Sequence, residues 1–285
     1  MEQCSSSTLS AKDEEREIII EALEVQKAYT TGALKVHALK GVSLCIRHGD
    51  IVAIMGPSGC GKTTLLNCLS GLDSLTSGVV KIAGQDLRGL SDRELTAFRA
   101  REMGFVFQTY NLLPVLNGLE NVELPLLVSD VPQKEARERA LASIELVGLL
   151  DWARHRPAEM SGGQRQRFAI ARALATQPSI VWADEPTGAL DSKTSQEILD
   201  LMLRLNREYQ LTFVWVTHAI EVARQAQRLI TMRDGQIEAD QPTTGLPVQR
   251  DGHLLGRSTV SGARSAFSSD DMLQRKQESS CSKHS

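Results

Sequence analysis

Nine residues, Gly56-Pro57-Ser58-Gly59-Cys60-Gly61-Lys62-Thr63-Thr64, leave this chain little freedom in how it folds. They follow the continuous apolar run Ile51 to Met55, entered through the turn residues Gly49-Asp50, and lead into the apolar stretch Thr64 to Ser70. A short apolar run bounded by turn residues reads as a strand buried on both faces, as in a parallel sheet. Glycines at the end of such a strand let the backbone curl closely round phosphate oxygens, with successive N–H groups pointing inward. The following helix adds the positive end of its dipole. Lys62 brings a full charge to the outer phosphates, and Thr63 a hydroxyl that can reach a Mg²⁺ ion beside them. A glycine-rich turn can contain Lys-Thr by chance, but a strand before it and a helix after it make chance a poor account.

The rest of the chain alternates in the same manner. Ile18-Ile19-Ile20, followed by Ala22, Leu23 and Val25, has a strand period, and Val42 to Ile46 alternates like a half-buried strand. Gly104 to Phe107, Ile180 to Ala183 and Leu211 to Val216 read as further strands. Asp92 to Ala100, Gln133 to Val147, Gln164 to Ala175 and Ser192 to Glu208 have helical spacing, while the Pro- and Asn-bearing stretch Tyr110 to Val131 reads as a connection. Strands alternating with helices of this length predict a mostly parallel, layered α/β sheet with a helical insertion in its middle, about residues 90–160. Residues 1–16 read as a loose leader and 17–241 as the folded domain. From Gln241-Pro242 the composition turns to Ser, Gly, Arg and Gln, so 242–285 reads as a tail without a packed structure.

Composition narrows the setting. Thirty-two basic residues against 35 acidic ones give a net charge of −3, which excludes broad electrostatic binding to nucleic acid. Cys4, Cys45, Cys60, Cys68 and Cys281 form no CxxC pair and read as free thiols of a reducing compartment, Cys60 and Cys68 as packing residues. The N-terminus has no apolar signal-like segment, and the longest apolar runs, such as Val122 to Val128, are broken by Glu123 and Pro125. The expectation is a cytoplasmic protein whose membrane role, if any, comes through a partner.

Two more constellations carry chemistry. Ile180-Val181-Trp182-Ala183-Asp184-Glu185 sets two carboxylates at the C-terminal end of an apolar strand, the edge at which open α/β sheets collect ligands. Asp184 suits the Mg²⁺ shell and Glu185 the polarising of an attacking water. Adjacent acids at a strand end are often solvated turn residues; the phosphate loop favours the catalytic reading here. Met160-Ser161-Gly162-Gly163-Gln164-Arg165-Gln166-Arg167 opens a helix with a Ser cap and two glycines, a second anion-receptive helix start. One nucleotide hardly needs both from one chain. Ser161 and Gly163 acting on a nucleotide held by a second copy, in a head-to-tail twofold dimer, reconciles them.

Taken together and in this order, these motifs closely resemble the ATP-binding cassette (ABC) family over roughly residues 18 to 240. The resemblance implies an α/β fold of the ABC-type P-loop NTPase kind: a mostly parallel core sheet, an N-terminal antiparallel β subdomain and a helical subdomain. It also implies ATP and Mg²⁺ as ligands, ATP hydrolysis, a homodimer and separate transmembrane permease subunits. Within it Ser161-Gly162-Gly163-Gln164 matches the family signature and Asp191 its D-loop. Gln108 matches the glutamine that senses Mg²⁺ and the partner protein, and His218 the switch histidine at the γ-phosphate. Tyr29 matches the aromatic that stacks on adenine. Taken alone, Tyr29 would read as a partly buried strand residue, His218 as structural or exposed, Gln108 as nothing in particular and Trp182 as core.

Phe107-Gln108-Thr109-Tyr110-Asn111-Leu112-Leu113-Pro114 and Glu120-Asn121-Val122-Glu123-Leu124-Pro125-Leu126 are similar to the macrolide-exporter and lipoprotein-release branch. That likeness implies permeases with large extracytoplasmic domains, in places with a periplasmic adaptor, and a docking role for Thr109 to Val128. Met160 stands where Leu usually precedes the signature, a volume-conserving change, and Ala219 where Asp usually follows the histidine. Two other classes share much of this machinery: a division-type ABC ATPase regulating cell-wall hydrolases through a membrane partner, and a soluble ABC protein of repair or translation. The second typically carries two cassettes or specialised insertions, and this chain has one cassette.

Overall fold

The computed structural model describes residues 16–32 and 34–243. The expectations for residues 1–15 and 244–285 lie outside the described residues. At one end of the described residues the Arg16 guanidinium pairs with Asp50 at 2.7 Å, and at the other the Thr243 N–H donates to the Gln227 carbonyl at 2.9 Å.

Two sheets make the frame. A four-stranded antiparallel sheet has the order β2-β1-β4-β5, from β1 (Ile18–Thr31), β2 (Leu34–Arg47), β4 (Ser77–Ile82) and β5 (Gln85–Asp86). The six-stranded sheet runs β10-β9-β3-β8-β7-β6. It contains β3 (Ile51–Met55), β6 (Met103–Phe107), β7 (Ile180–Asp184), β8 (Thr212–Thr217), β9 (Arg228–Arg233) and β10 (Gln236–Pro242). All its neighbours pair in parallel except β9 with β10.

The apolar runs become central strands because both their faces are covered. Val52 and Ile54 of β3, Trp182 of β7 and Val214 and Val216 of β8 face the antiparallel sheet and the helix after the Gly56–Thr64 loop, where they meet Ile20, Leu39 and Ile46 of the sheet and Leu65 of the helix. The alternate residues Ile51, Ala53, Val181, Ala183, Phe213 and Trp215 face the helices on the other side. Burial on both sides is what a continuous rather than alternating apolar pattern encodes. Trp182 is fully buried, as expected.

The helices are α1 (Lys62–Leu69), α2 (Asp92–Glu102), α3 (Gly118–Val128), α4 (Gln133–Leu146), α5 (Gly162–Leu174), α6 (Ser192–Tyr209) and the short α7 (Ile220–Ala223). α3, α4 and α5 pack on one another, and α5 also lies against β6 and α6, so it joins the helical layer to the sheet. α3 corrects the reading of Tyr110 to Val131 as a connection. It is started by a capping box, in which the Asn117 side chain accepts from the Glu120 N–H at 2.9 Å and Glu120 accepts from the Asn117 N–H at 2.8 Å. Pro125 inside it removes one N–H without ending it. The Asn121 amide is 1% exposed and pins the preceding turn, accepting from the Leu113 N–H and donating to the carbonyls of Leu113, Leu116 and Asn117.

Cys60 and Cys68 are free and buried. Cys45 is disulfide-bonded, which corrects the expectation of uniformly free thiols. It is half-buried on β2, between the core residues Leu44 and Ile46. No helix among the described residues is long and apolar enough to cross a membrane.

Candidate functional site

Parallel pairing brings the chemistry-bearing residues to one edge. Met55 ends β3 opposite Thr217 of β8, Val216 lies opposite Asp184 of β7, and Asp184 opposite Phe107 of β6. The segments that leave these four adjacent strands therefore start side by side. They are the Gly56–Thr64 loop, His218, Glu185 and Gln108, and α1 rises from the first of them.

The loop is shaped by what it must pass. Gly61 has φ +102°, and a Cβ there would lie 2.6 Å from the Ala38 carbonyl oxygen, so only glycine fits. Cys60 is buried beneath the loop, while Pro57, Ser58 and Gly59 are exposed. Lys62 folds back so that Nζ donates to the carbonyls of Gly56 and Pro57, each at 2.9 Å. Thr63 is exposed, with Thr64 behind it half-buried, and its hydroxyl donates to Asp184 Oδ2 across 3.4 Å.

Burial raises the Asp184 pKa and the neighbouring Glu185 charge raises it further, with the Thr63 hydroxyl and Lys62 opposing. A hydroxyl and a desolvated carboxylate this close are hard oxygen donors of the kind a divalent cation with remaining phosphate and water ligands requires. Glu185 is held in the left-handed region at φ +49°. Its Oε1 lies 2.7 Å from His218 Nδ1, and Oε2 accepts from the Thr217 hydroxyl at 3.3 Å. His218 is 70% exposed and Glu185 17%, so the carboxylate sits at the floor of the open edge with the imidazole above it. The Gln108 amide touches the chain just beyond, since a Cβ on Gly188 would stand 2.9 Å from its Nε2.

Tyr29 lies on β1, with its side chain beside Thr64 in the first turn of α1. It is 42% exposed, and its hydroxyl donates to Asp73 Oδ2 at 2.7 Å, with the Lys27 ammonium 5.0 Å from its ring centre and 2.6 Å from Asp73 Oδ1. Burial of this corner opposes ionisation of Asp73, but its bonds from Lys27 and Tyr29 keep its pKa low. The Cys68 thiol next to it is pushed up to about 11, chiefly by burial, and packs as a neutral group.

The remaining expected residues form a second cluster. Ser161 caps α5 through a reciprocal pair: Gln164 N–H to Ser161 Oγ at 3.2 Å, and Ser161 N–H to Gln164 Oε1 at 2.8 Å. Asp191 caps α6, accepting from the Thr194 N–H at 3.0 Å and its hydroxyl at 2.6 Å. The two helix starts touch so closely that a Cβ on Gly163 would lie 2.5 Å from Thr194 Cγ2. Gly162 and Gly163 are half-buried and Ser161 is exposed. Among the described residues no hydrogen bond or ion pair joins Ser161–Gln164 to the Gly56–Thr64 loop. Of the two departures, Met160 is buried in the core. Ala219 caps α7 with no side-chain acceptor, and the Thr217 hydroxyl accepts its N–H instead, at 3.1 Å.

Sequence reasoning passed over Asp73, Asn121, Arg165 and Arg172 as contributors to this region. Arg172 holds the loop after Gln108: Nη2 donates to the Tyr110 carbonyl at 2.9 Å and Nη1 to that of Asn111. The signal available was a charged residue inside the otherwise apolar run Phe168 to Ala175.

Known proteins resemble this chain in sequence and in fold. The sequence profile of the ABC transporter family matches residues 39–188. The lipoprotein-releasing system ATP-binding protein LolD of Legionella pneumophila is 44% identical over 223 residues, covering 78% of this chain and 98% of that protein. The macrolide export ATP-binding/permease protein MacB of Syntrophobacter fumaroxidans is 46% identical over 229 residues, 80% of this chain but only 32% of that longer protein. Among solved structures, a dimeric post-hydrolysis state of the ATP-binding cassette MJ0796 of Methanocaldococcus jannaschii, bound to ADP and Pi, superposes with a TM-score of 0.73. It is 46% identical, over 80% of this chain and 100% of the other. The chain belongs to the ABC transporter family, as an ATP-binding and ATP-hydrolysing subunit akin to the MacB and LolD cassettes.

Proposed function

We propose that this subunit works as half of a pair, with each ATP held on the Gly56–Thr64 loop of one protomer and completed by the helix start Ser161–Gln164 of the other. The observation that carries this is the split just described. One edge of the sheet gathers a phosphate loop, a carboxylate pair, a glutamine and a histidine, while the second anion-receptive helix start lies apart with its glycines and Ser161 open to a neighbour.

In this reading the loop N–H groups of Ser58 to Thr64 and the Lys62 ammonium, released from the Gly56 and Pro57 carbonyls, take the β- and γ-phosphates. Tyr29 stacks on the adenine. Thr63 and Asp184, with Gln108, hold Mg²⁺; no cluster of three His, Cys, Asp or Glu side chains is present among the described residues, and a cation sharing phosphate and water ligands needs none. Bound there, Mg²⁺ neutralises phosphate charge. Glu185 accepts the proton of the attacking water, and His218, 2.7 Å away, orients that carboxylate and reaches the γ-phosphate. Asp191, as the cap that ties α6 to α5, sets the partner-facing surface.

Closure of the pair on ATP and reopening after hydrolysis then drive separate permease subunits, in the manner that the MacB and LolD names suggest, at the cytoplasmic face of the membrane and in places with a periplasmic adaptor. Exposed Leu113, Val115, Leu127 and Val128 around α3 give the permease an apolar surface. Glu185→Gln keeps the shape and hydrogen-bonding reach of the side chain but removes the base. It is expected to bind ATP and dimerise while turnover falls about 10²–10⁴-fold. Undiminished hydrolysis would remove Glu185 from this role.

A further inference from the structure

The turn that follows Gln108 is built in an unusual way. Tyr110 and Asn111 are consecutive non-glycine residues in the left-handed region, at φ +61° and +50°. Such a turn persists only where its surroundings hold it, and α5 supplies the hold. Arg172 donates to both residues' carbonyls. Burial lowers its guanidinium's pKa, so these two bonds are the compensation for a desolvated cation. One end of the same helix grips the Tyr110 side chain as well. The Arg165 guanidinium carbon lies 5.0 Å from the ring centre, and a Cβ on Gly162 would come within 3.1 Å of the Tyr110 hydroxyl. The ring thus stands between the Gln108 loop and the first turn of α5.

We propose that Tyr110, clamped by Arg165 and Arg172, is a positioning residue that fixes the Ser161–Gln164 helix start relative to Gln108. A change at Gln108 on one protomer is thereby passed to the phosphate held by the other. This rests on the composite-site reading above. Tyr110 touches neither nucleotide nor reacting water; it acts through the segment it positions.

The test is ATP-dependent dimerisation of full-length Glu185→Gln protein, followed by light scattering, with ATP affinity of the monomer and thermal midpoint measured on the same samples. Adding Tyr110→Leu should raise the protein concentration needed for half dimerisation roughly five- to thirtyfold, the range that losing a partly buried cation–π contact corresponds to. Monomer ATP affinity should not move. Tyr110→Phe, which keeps the ring, should restore dimerisation to within about twofold. Arg165→Gln removes the cation while leaving turn and ring in place, and should weaken dimerisation even if Tyr110→Leu does not fold. Ser161→Arg in the same background is the control. If it dimerises normally, the composite reading fails and the clamp with it. If it blocks dimerisation while Tyr110→Leu and Arg165→Gln match the parent, the clamp alone is overturned.

Discussion

Gly163→Ala probes the closest contact between the two helix starts of the second cluster. The added Cβ would stand 2.5 Å from Thr194 Cγ2. Thr194 cannot easily turn away, because its hydroxyl and N–H are both bound by Asp191. Relief therefore requires α5 and α6 to separate at their N-terminal ends. Overpacking of this kind costs about 1–3 kcal/mol, against which the better helix propensity of Ala returns up to about 1 kcal/mol. A net loss of about 1–2 kcal/mol corresponds to a thermal midpoint roughly 2–8 °C lower for a domain of this size. Thr194→Ser deletes the offending methyl and keeps the bond to Asp191, so the double variant should recover most of the loss. Thermal unfolding of the four proteins of the cycle measures the coupling, expected at about 1 kcal/mol or more. Gly163→Ala at or above the parent midpoint, or a double variant no better than the single one, would refute the packing argument.

Two further outcomes follow from the site. Asp184 carries a pKa raised in the folded state, so its contribution to stability is greatest below its ordinary value of 3.8 and declines as pH rises through the raised one. In chelator without nucleotide, Asp184→Asn should thus be more stable than the parent at neutral pH, with the advantage vanishing as pH falls below the ordinary carboxylate range. Chemical denaturation across pH measures it, and a constant offset would contradict the assignment. Tyr29→Ala should weaken ATP binding by about 1–3 kcal/mol, the worth of one base-stacking contact, while Tyr29→Phe keeps affinity and loses the hydroxyl's bonds to Asp73 and Thr64. Equal affinity of the two variants in a fluorescence titration would remove the ring from the nucleotide site.

Much of the sheet was legible because its central strands are continuous apolar runs: Ile51–Met55, Ile180–Asp184 and Thr212–Thr217 stand within a residue or two of where the sequence puts them. The phosphate loop and the carboxylate pair were legible for the same reason, since each is fixed to a strand end. α3 was not, because Pro125 argues against a helix and only the Asn117–Glu120 capping box, a three-residue spacing, argues for one. β10 was missed because an edge strand such as Gln236–Pro242, which starts polar and ends on Pro, lacks an apolar run, and β9 inside the sheet because its apolar residues are broken by Thr231 and flanked by Arg228 and Arg233. The long β1 and β2 were cut short where Leu34 and Val36 lie exposed and the inside–outside alternation lapses. Arg172 and Asn121 escaped notice because their partners are backbone carbonyls, which leave no mark on sequence spacing.

The central claim, that each ATP is hydrolysed between two protomers, is tested most directly by mixing two inactive proteins. Lys62→Ala removes the phosphate cation, and Ser161→Arg blocks the second helix start; each alone should be without ATPase activity. In a mixed dimer one of the two sites combines an intact Lys62 with an intact Ser161 from the other chain. Equal amounts should therefore recover activity toward about a quarter of the parent's, as random pairing in a twofold dimer gives. No recovery at protein concentrations where the parent is active would mean that each chain builds its site alone.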